Sequence, residues 1–153
     1  MAELRKVLCP VDLSPGASSA AVEAASLAQS LGAELVLVHV IGEPALALGD
    51  PLLAPGEVSP FTLPKLADEY RAEMDKRLTR LGNQLRKEGL LVSTLLMRGS
   101  AHEAIVSAAD HAHADLIVMS THGRRGLSHL LLGSVTERVV RTAKVPVMTV
   151  RLN

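Results

Sequence analysis

The chain has 153 residues, 48% hydrophobic and 21% charged, and its 16 basic and 16 acidic side chains give a formal net charge of zero. That length suits one domain with a substantial core, and that balance excludes a global electrostatic reason to bind nucleic acid or an anionic membrane. One Phe, one Tyr and no Trp exclude the stacking platforms that hold single strands, and the lone Cys9 excludes an internal disulfide and fits a reduced compartment.

Residues 1–6 lead straight into folding material without a cleavable signal, and no apolar run approaches the ~18 residues of a membrane span, so a cytoplasmic protein is expected. Residues 7–11 form a compact apolar strand ending at Asp12, in which Cys9 is a packing residue rather than a nucleophile. Ser14 caps an alanine-rich helix with Pro15 at its first position, and Gly32 stops it after Leu31. Residues 34–41, β-branched and apolar on both faces, are the clearest strand. The stretch 42–64 carries five prolines and three glycines and reads as a long loop.

Apolar Leu66, Tyr70, Met74, Leu78, Leu81 and Leu85 recur at helical spacing through a charged helix over 66–88, with Gly89 as its end. A third strand spans 90–97. Ser100 and Glu103 have the spacing of a capping box for a helix over 101–112. A fourth strand, 114–119, precedes a glycine loop, a helix opening at Ser134 with Glu137 three residues on, and a last apolar strand over 145–151. Strands alternating with helices predict right-handed crossovers and a parallel sheet covered on both faces. Ligands bind such sheets beyond the carboxyl ends of the strands, where Asp12, Val40 and residues 120–123 can converge.

The run Ser120-Thr121-His122-Gly123-Arg124-Arg125-Gly126 and the following Gly133-Ser134-Val135-Thr136-Glu137 put glycines and hydroxyls at both ends of a strand-to-helix loop. A helix N-terminus offers unpaired N–H groups and the positive end of its dipole, and glycine lets a ligand approach the backbone, so this is where a phosphate would sit. From Asp115 to Val150 the chain resembles the C-terminal signature of the universal stress protein family. Its nucleotide-binding members carry Gly, two residues, Gly, nine residues, Gly, then Ser or Thr. Gly123, Gly133 and Ser134 match that spacing, and Ser120 stands in the first glycine's place. A Cβ and hydroxyl there would either crowd a ligand or hydrogen-bond to it.

The resemblance extends over the first two strands and the closing strand. It implies a single-domain three-layer α/β sandwich over 1–153, related to the adenine nucleotide alpha-hydrolases and Rossmann-like. Its five-stranded parallel sheet would have the order 3-2-1-4-5 with about four helices. It also implies an ATP-binding stress-response module, with ADP or AMP as related ligands, in which Asp12 contacts the nucleoside and Val40 offers backbone groups to the base. Pro10 and Met119 would be apolar walls, and Gly123, Gly133, Ser134 and Val135 would hold phosphates. Val11, Ser120, His122 and Arg124 complete the nucleotide-binding set.

Each residue also has a plainer role. Asp12 suits a turn before Ser14-Pro15, Ser134 caps a helix with or without ligand, and the basic residues after Gly123 suit a solvated helix face. No catalytic residue is assigned, because no set of nucleophile, base and orienter stands out, and neither GxxxxGK[ST] nor GxGxxG is present. His111 and His113 lack a ligand set, so no protein metal site is expected, and Mg²⁺ or Mn²⁺ would arrive on the phosphates. Family members commonly dimerise through the last strand, here 145–151, whose apolar edge would otherwise be exposed. The nucleotide would bias the dimer or the 42–64 loop toward an unidentified protein partner. A slow ATP hydrolase and a nucleotide-free scaffold are the alternatives.

Overall fold

The computed structural model describes residues 3–13, 19–42, 63–121 and 132–151. Among these the elements run β1 (Lys6–Pro10), α1 (Ser19–Leu31), β2 (Glu34–Ile41), α2 (Leu63–Lys87), β3 (Val92–Arg98), α3 (Ala101–Ala112), β4 (Leu116–Ser120), α4 (Ser134–Thr142) and β5 (Val147–Val150). The five strands pair in the order β3-β2-β1-β4-β5, all parallel, as the resemblance implies. Most of the 42–64 loop and the start of the first helix lie outside the described residues.

Alternation along each strand divides the core. Val7, Cys9, Leu35, Leu37, Leu116 and Val118 pack toward α1 and α2, while Leu8, Val36, Val38, Ile117 and Met119 pack toward α3 and α4. Period-two geometry with apolar residues on both faces is what a doubly covered parallel sheet demands. Each fully buried Leu or Ile contributes about 1.5–3 kcal/mol. On α1 the buried row is Ala20, Ala21, Ala24, Ala25 and Ala28, small side chains that let the helix lie close on the sheet. Gly32 and Gly89 stop their helices with φ +64° and +89°, conformations that cost a residue with a Cβ.

Two expectations about helix starts are corrected. Helix α2 begins at Leu63, with Pro64 in its first turn where a missing N–H is harmless. Its stripe is buried only from the middle onward: Met74, Leu78 and Leu85 are in the core, and Leu66 is 40% exposed. Ser100 is the N-cap of α3, as read, but makes no side-chain capping bond; its hydroxyl meets His102 Nδ1 at 3.1 Å instead. None of the described helices is long and apolar enough to cross a membrane.

Candidate functional site

The carboxyl ends of β1, β2 and β4 face one side of the sheet, and the N-terminus of α4 returns to that side. At the end of β1, Val11 donates its N–H to the Val38 carbonyl at 2.8 Å, after which the chain leaves the ladder through half-buried Asp12. Leu13 then adopts φ 60°, a left-handed conformation that costs a non-glycine residue about 1–2 kcal/mol and is offset here by packing of its side chain on the α1–α2 core. Val40 lies half-buried beside this turn, and Met119 is buried on β4.

The structure draws in a residue that the sequence reading passed over. His39, 5% exposed in an apolar strand, places Nδ1 2.7 Å from the Val11 carbonyl oxygen. A carbonyl only accepts, so Nδ1 carries the hydrogen. The one visible signal is a histidine between two valines in the otherwise apolar stretch 35–41.

A clasp closes the base of the glycine loop. Thr121 N–H donates to the Val150 carbonyl at 2.9 Å, Gly133 N–H to the Thr121 carbonyl at 2.7 Å, and the buried Thr136 hydroxyl to the Ser120 carbonyl at 2.9 Å. These bonds fix the first turn of α4 against the end of β4. The N-cap is Gly133, not Ser134, which is exposed in the first helical position. The shift by one residue follows from the Thr121–Gly133 bond, which places Gly133 at the entry to the helix. Gly133 has no side chain with which to cap the helix, and the first internal bond is from Glu137 N–H to the Gly133 carbonyl. The N–H groups of Ser134, Val135 and Thr136 therefore precede the helical ladder at the positive end of the dipole, the arrangement that receives anions.

Gly133 has φ −57° and ψ 149°, open to any residue, so its dihedrals do not require glycine; what glycine supplies there is a bare backbone. Ser120 ends the extended strand β4 and has no positive φ, so it occupies the first glycine's place without backbone strain.

Pro10, Val11, Asp12, Val40, Met119, Ser120, Gly133, Ser134 and Val135 thus lie on the carboxyl-end elements, whereas His122, Gly123 and Arg124 fall outside the described residues. Of the basic residues after Gly123, Arg141 pairs with Glu137 and Lys144 with Asp110, both at 2.8 Å and exposed, which is the solvated-face reading. His111 Nδ1 meets the Ser107 carbonyl, and His113 takes the left-handed C-cap of α3. Cys9 is fully buried, and desolvation pushes its thiol up to about 12, so it packs and does not react.

The model of the universal stress protein family matches residues 3–151. The chain is 31% identical to universal stress protein MJ0577 of Methanocaldococcus jannaschii, over 96% of this chain and 94% of that one. The solved structure of MJ0577 superposes with a TM-score of 0.79 at 26% identity, covering 99% of both chains. Two further solved structures share the fold. One is a universal stress protein in complex with cAMP (TM-score 0.69, 21% identity, 98% of both chains). The other, from Archaeoglobus fulgidus, is in complex with dAMP (TM-score 0.63, 23% identity, 97% of this chain and 98% of that one).

Proposed function

The chain belongs to the universal stress protein family, and from that premise we propose that it is an adenine-nucleotide-binding regulatory module that acts as a cytoplasmic homodimer, with residues 1–153 as one domain. The observation that carries this reading is the α4 N-terminus that opens on the bare backbone of Gly133 and is held by the Ser120–Thr136 bond on the same side of the sheet as Asp12 and Val40. The base would lie at Val40 between Pro10, Val11 and Met119, the ribose at Asp12, and the phosphates on the N–H groups of Ser134 and Val135 beside bare Gly133. His122, Gly123 and Arg124 join the site by their match to the family pattern, and Ser120 adds a hydroxyl at its rim.

That fold relatives hold cAMP and dAMP supports adenine as the base. ATP is the member of that class whose phosphates would make fullest use of the α4 N-terminus, and Mg²⁺ or Mn²⁺ would travel with them. The dimer would form along β5, an edge strand of the sheet with Met148 exposed.

The test is mass spectrometry of small molecules released by denaturing fresh protein, then calorimetric titration of the stripped chain with ATP and Mg²⁺. Released or tightly titrating ATP upholds the reading, and recovery of ADP after incubation replaces it with a slow hydrolase. No ligand and no heat across nucleotides replaces it with a scaffold, and affinity gained by Ser120→Gly would then identify Ser120 as the block.

A further inference from the structure

The β1–β2 ladder ends one step before its register requires. Along β2, Glu34 N–H donates to the Arg5 carbonyl and the Val38 carbonyl accepts from Val11, both on the β1 side. Leu35 N–H donates to the Leu91 carbonyl and the Ile41 carbonyl accepts from Gly99, both on the β3 side. Even-numbered residues of β2 therefore aim their backbone groups at β1, and Val40 is even-numbered. With Pro10 opposite Val38 as the last pair, the next donor to the Val11 carbonyl in a regular parallel ladder is Val40 N–H. That carbonyl instead accepts from the His39 ring at 2.7 Å, and among the described residues no backbone bond joins Val40 to Val11, Asp12 or Leu13.

A buried imidazole is an expensive way to fill this position. Leu35 and Leu37 occupy the same face of β2, and a leucine at 39 would continue their row without desolvating a polar ring. The ring's hydrogen bond has a consequence for its neighbour rather than for packing.

We propose that His39 is a positioning residue for the nucleoside. By holding the Val11 carbonyl it keeps that acceptor from Val40, so the Val40 N–H and C=O stand together as donor and acceptor for the edge of an adenine, whose N1 accepts and whose N6 amine donates. The same bond steadies the Val11–Asp12 turn that would face the ribose. The inference rests on the nucleotide-binding reading above and deepens it at the base end of the site.

The experiment uses the full chain with His39→Leu, which removes the donor, and His39→Asn, whose side-chain amide nitrogen reaches the place of Nδ1. Amide hydrogen exchange at Val40 reports the ladder without any ligand, and calorimetry with ATP and with inorganic tripolyphosphate separates the base end from the phosphate end. In His39→Leu, Val40 protection is expected to rise about tenfold and ATP affinity to fall about tenfold, while tripolyphosphate binds as in the wild type. His39→Asn is expected to return both values to within about threefold. Unchanged Val40 protection, unchanged ATP affinity, or joint loss of ATP and tripolyphosphate in both variants would overturn the assignment, the last by making His39 a packing residue. A wild-type chain that takes up no ATP brings down the nucleotide reading itself and this inference with it. ATP binding that His39→Leu leaves intact sinks the role of His39 alone.

Discussion

The two ends of the sheet treat their polar groups in opposite ways. At the amino end the chain closes on itself. One Asp115 carboxylate oxygen accepts the N–H groups of Arg5 and Lys6, both at 2.9 Å, and Asp115 N–H returns to the Lys6 carbonyl. Glu34 receives the Ser93 hydroxyl and pairs with the Lys6 ammonium at 3.2 Å, and the Arg86 guanidinium places two donors on the Val92 carbonyl. At the carboxyl end, side chains hold the frame and leave backbone groups outward: Thr136 secures β4 to α4 without capping the helix, and His39 takes the carbonyl next in line for Val40. Charge at one end serves the fold, while at the other the bonds among the described residues stop short of the Val40 backbone and the first turn of α4.

The sharpest way to break this contrast is Gly133→Val. The native φ and ψ admit valine, so the cost to the fold should stay under about 1 kcal/mol, visible as a loss of no more than about 3 °C in Tm. The branched side chain would fill the space over the α4 N-terminus, and ATP affinity is expected to fall about a hundredfold, about 2.7 kcal/mol. Retained affinity by calorimetry would remove the phosphate from this helix. Asp115→Ala is the mirror case. Losing a charged acceptor shared by two backbone donors should cost about 2 kcal/mol and lower Tm by roughly 4–8 °C. ATP affinity should hold within about twofold, since any ligand effect would have to cross the sheet. A coupled loss of both would show that the ends are not independent.

Much of this frame was readable from the residues. The strand Glu34–Ile41 and the helix Ala101–Ala112 have the bounds that hydrophobic period and flanking punctuation predict, because both lie between strong local signals. Where tertiary bonds compete with local ones, local signals mislead. Ser134 has the spacing of an N-cap, but the Thr121–Gly133 bond moves the cap back one residue. The apolar run carries the first strand to Val11, but β1 ends at Pro10 and the Val11 carbonyl is claimed by a side chain from the neighbouring strand, an event no local pattern encodes. Asp115 falls inside the apolar run of the fourth strand, but β4 begins at Leu116 and the Asp115 carboxylate instead accepts the N–H groups of Arg5 and Lys6 where β1 begins. The loop residues His122, Gly123 and Arg124 are singled out by the glycine run and by the family pattern, and they lie outside the described residues.

Thr136→Val tests the frame of the site at smaller amplitude. Valine is nearly the same shape, so the change isolates the hydroxyl, and taking that donor from a part-buried carbonyl should cost about 1–2 kcal/mol, or roughly 3–6 °C in Tm. ATP affinity should fall only about threefold, because the N–H groups of α4 are loosened and not blocked. A hundredfold loss would make Thr136 a ligand contact instead.

The smallest effect belongs to the amino end and is a matter of pH. The Ser93 hydroxyl, and after it the Lys6 ammonium, hold the Glu34 carboxyl below its ordinary range against partial desolvation. A carboxyl lowered on folding adds stability that is complete above its unfolded value, about 4.3, and is lost as pH falls through the lower folded value. Glu34→Gln should therefore cost about half a kcal/mol at pH 7 after solvent screening, and the urea midpoints of the two chains should converge as pH is taken toward 3. A gap that persists at pH 3 would assign the difference to packing of the side chain. A gap absent at pH 7 would show that the Glu34 contacts add nothing at this end, leaving it to the Asp115 carboxylate and the Arg86 guanidinium.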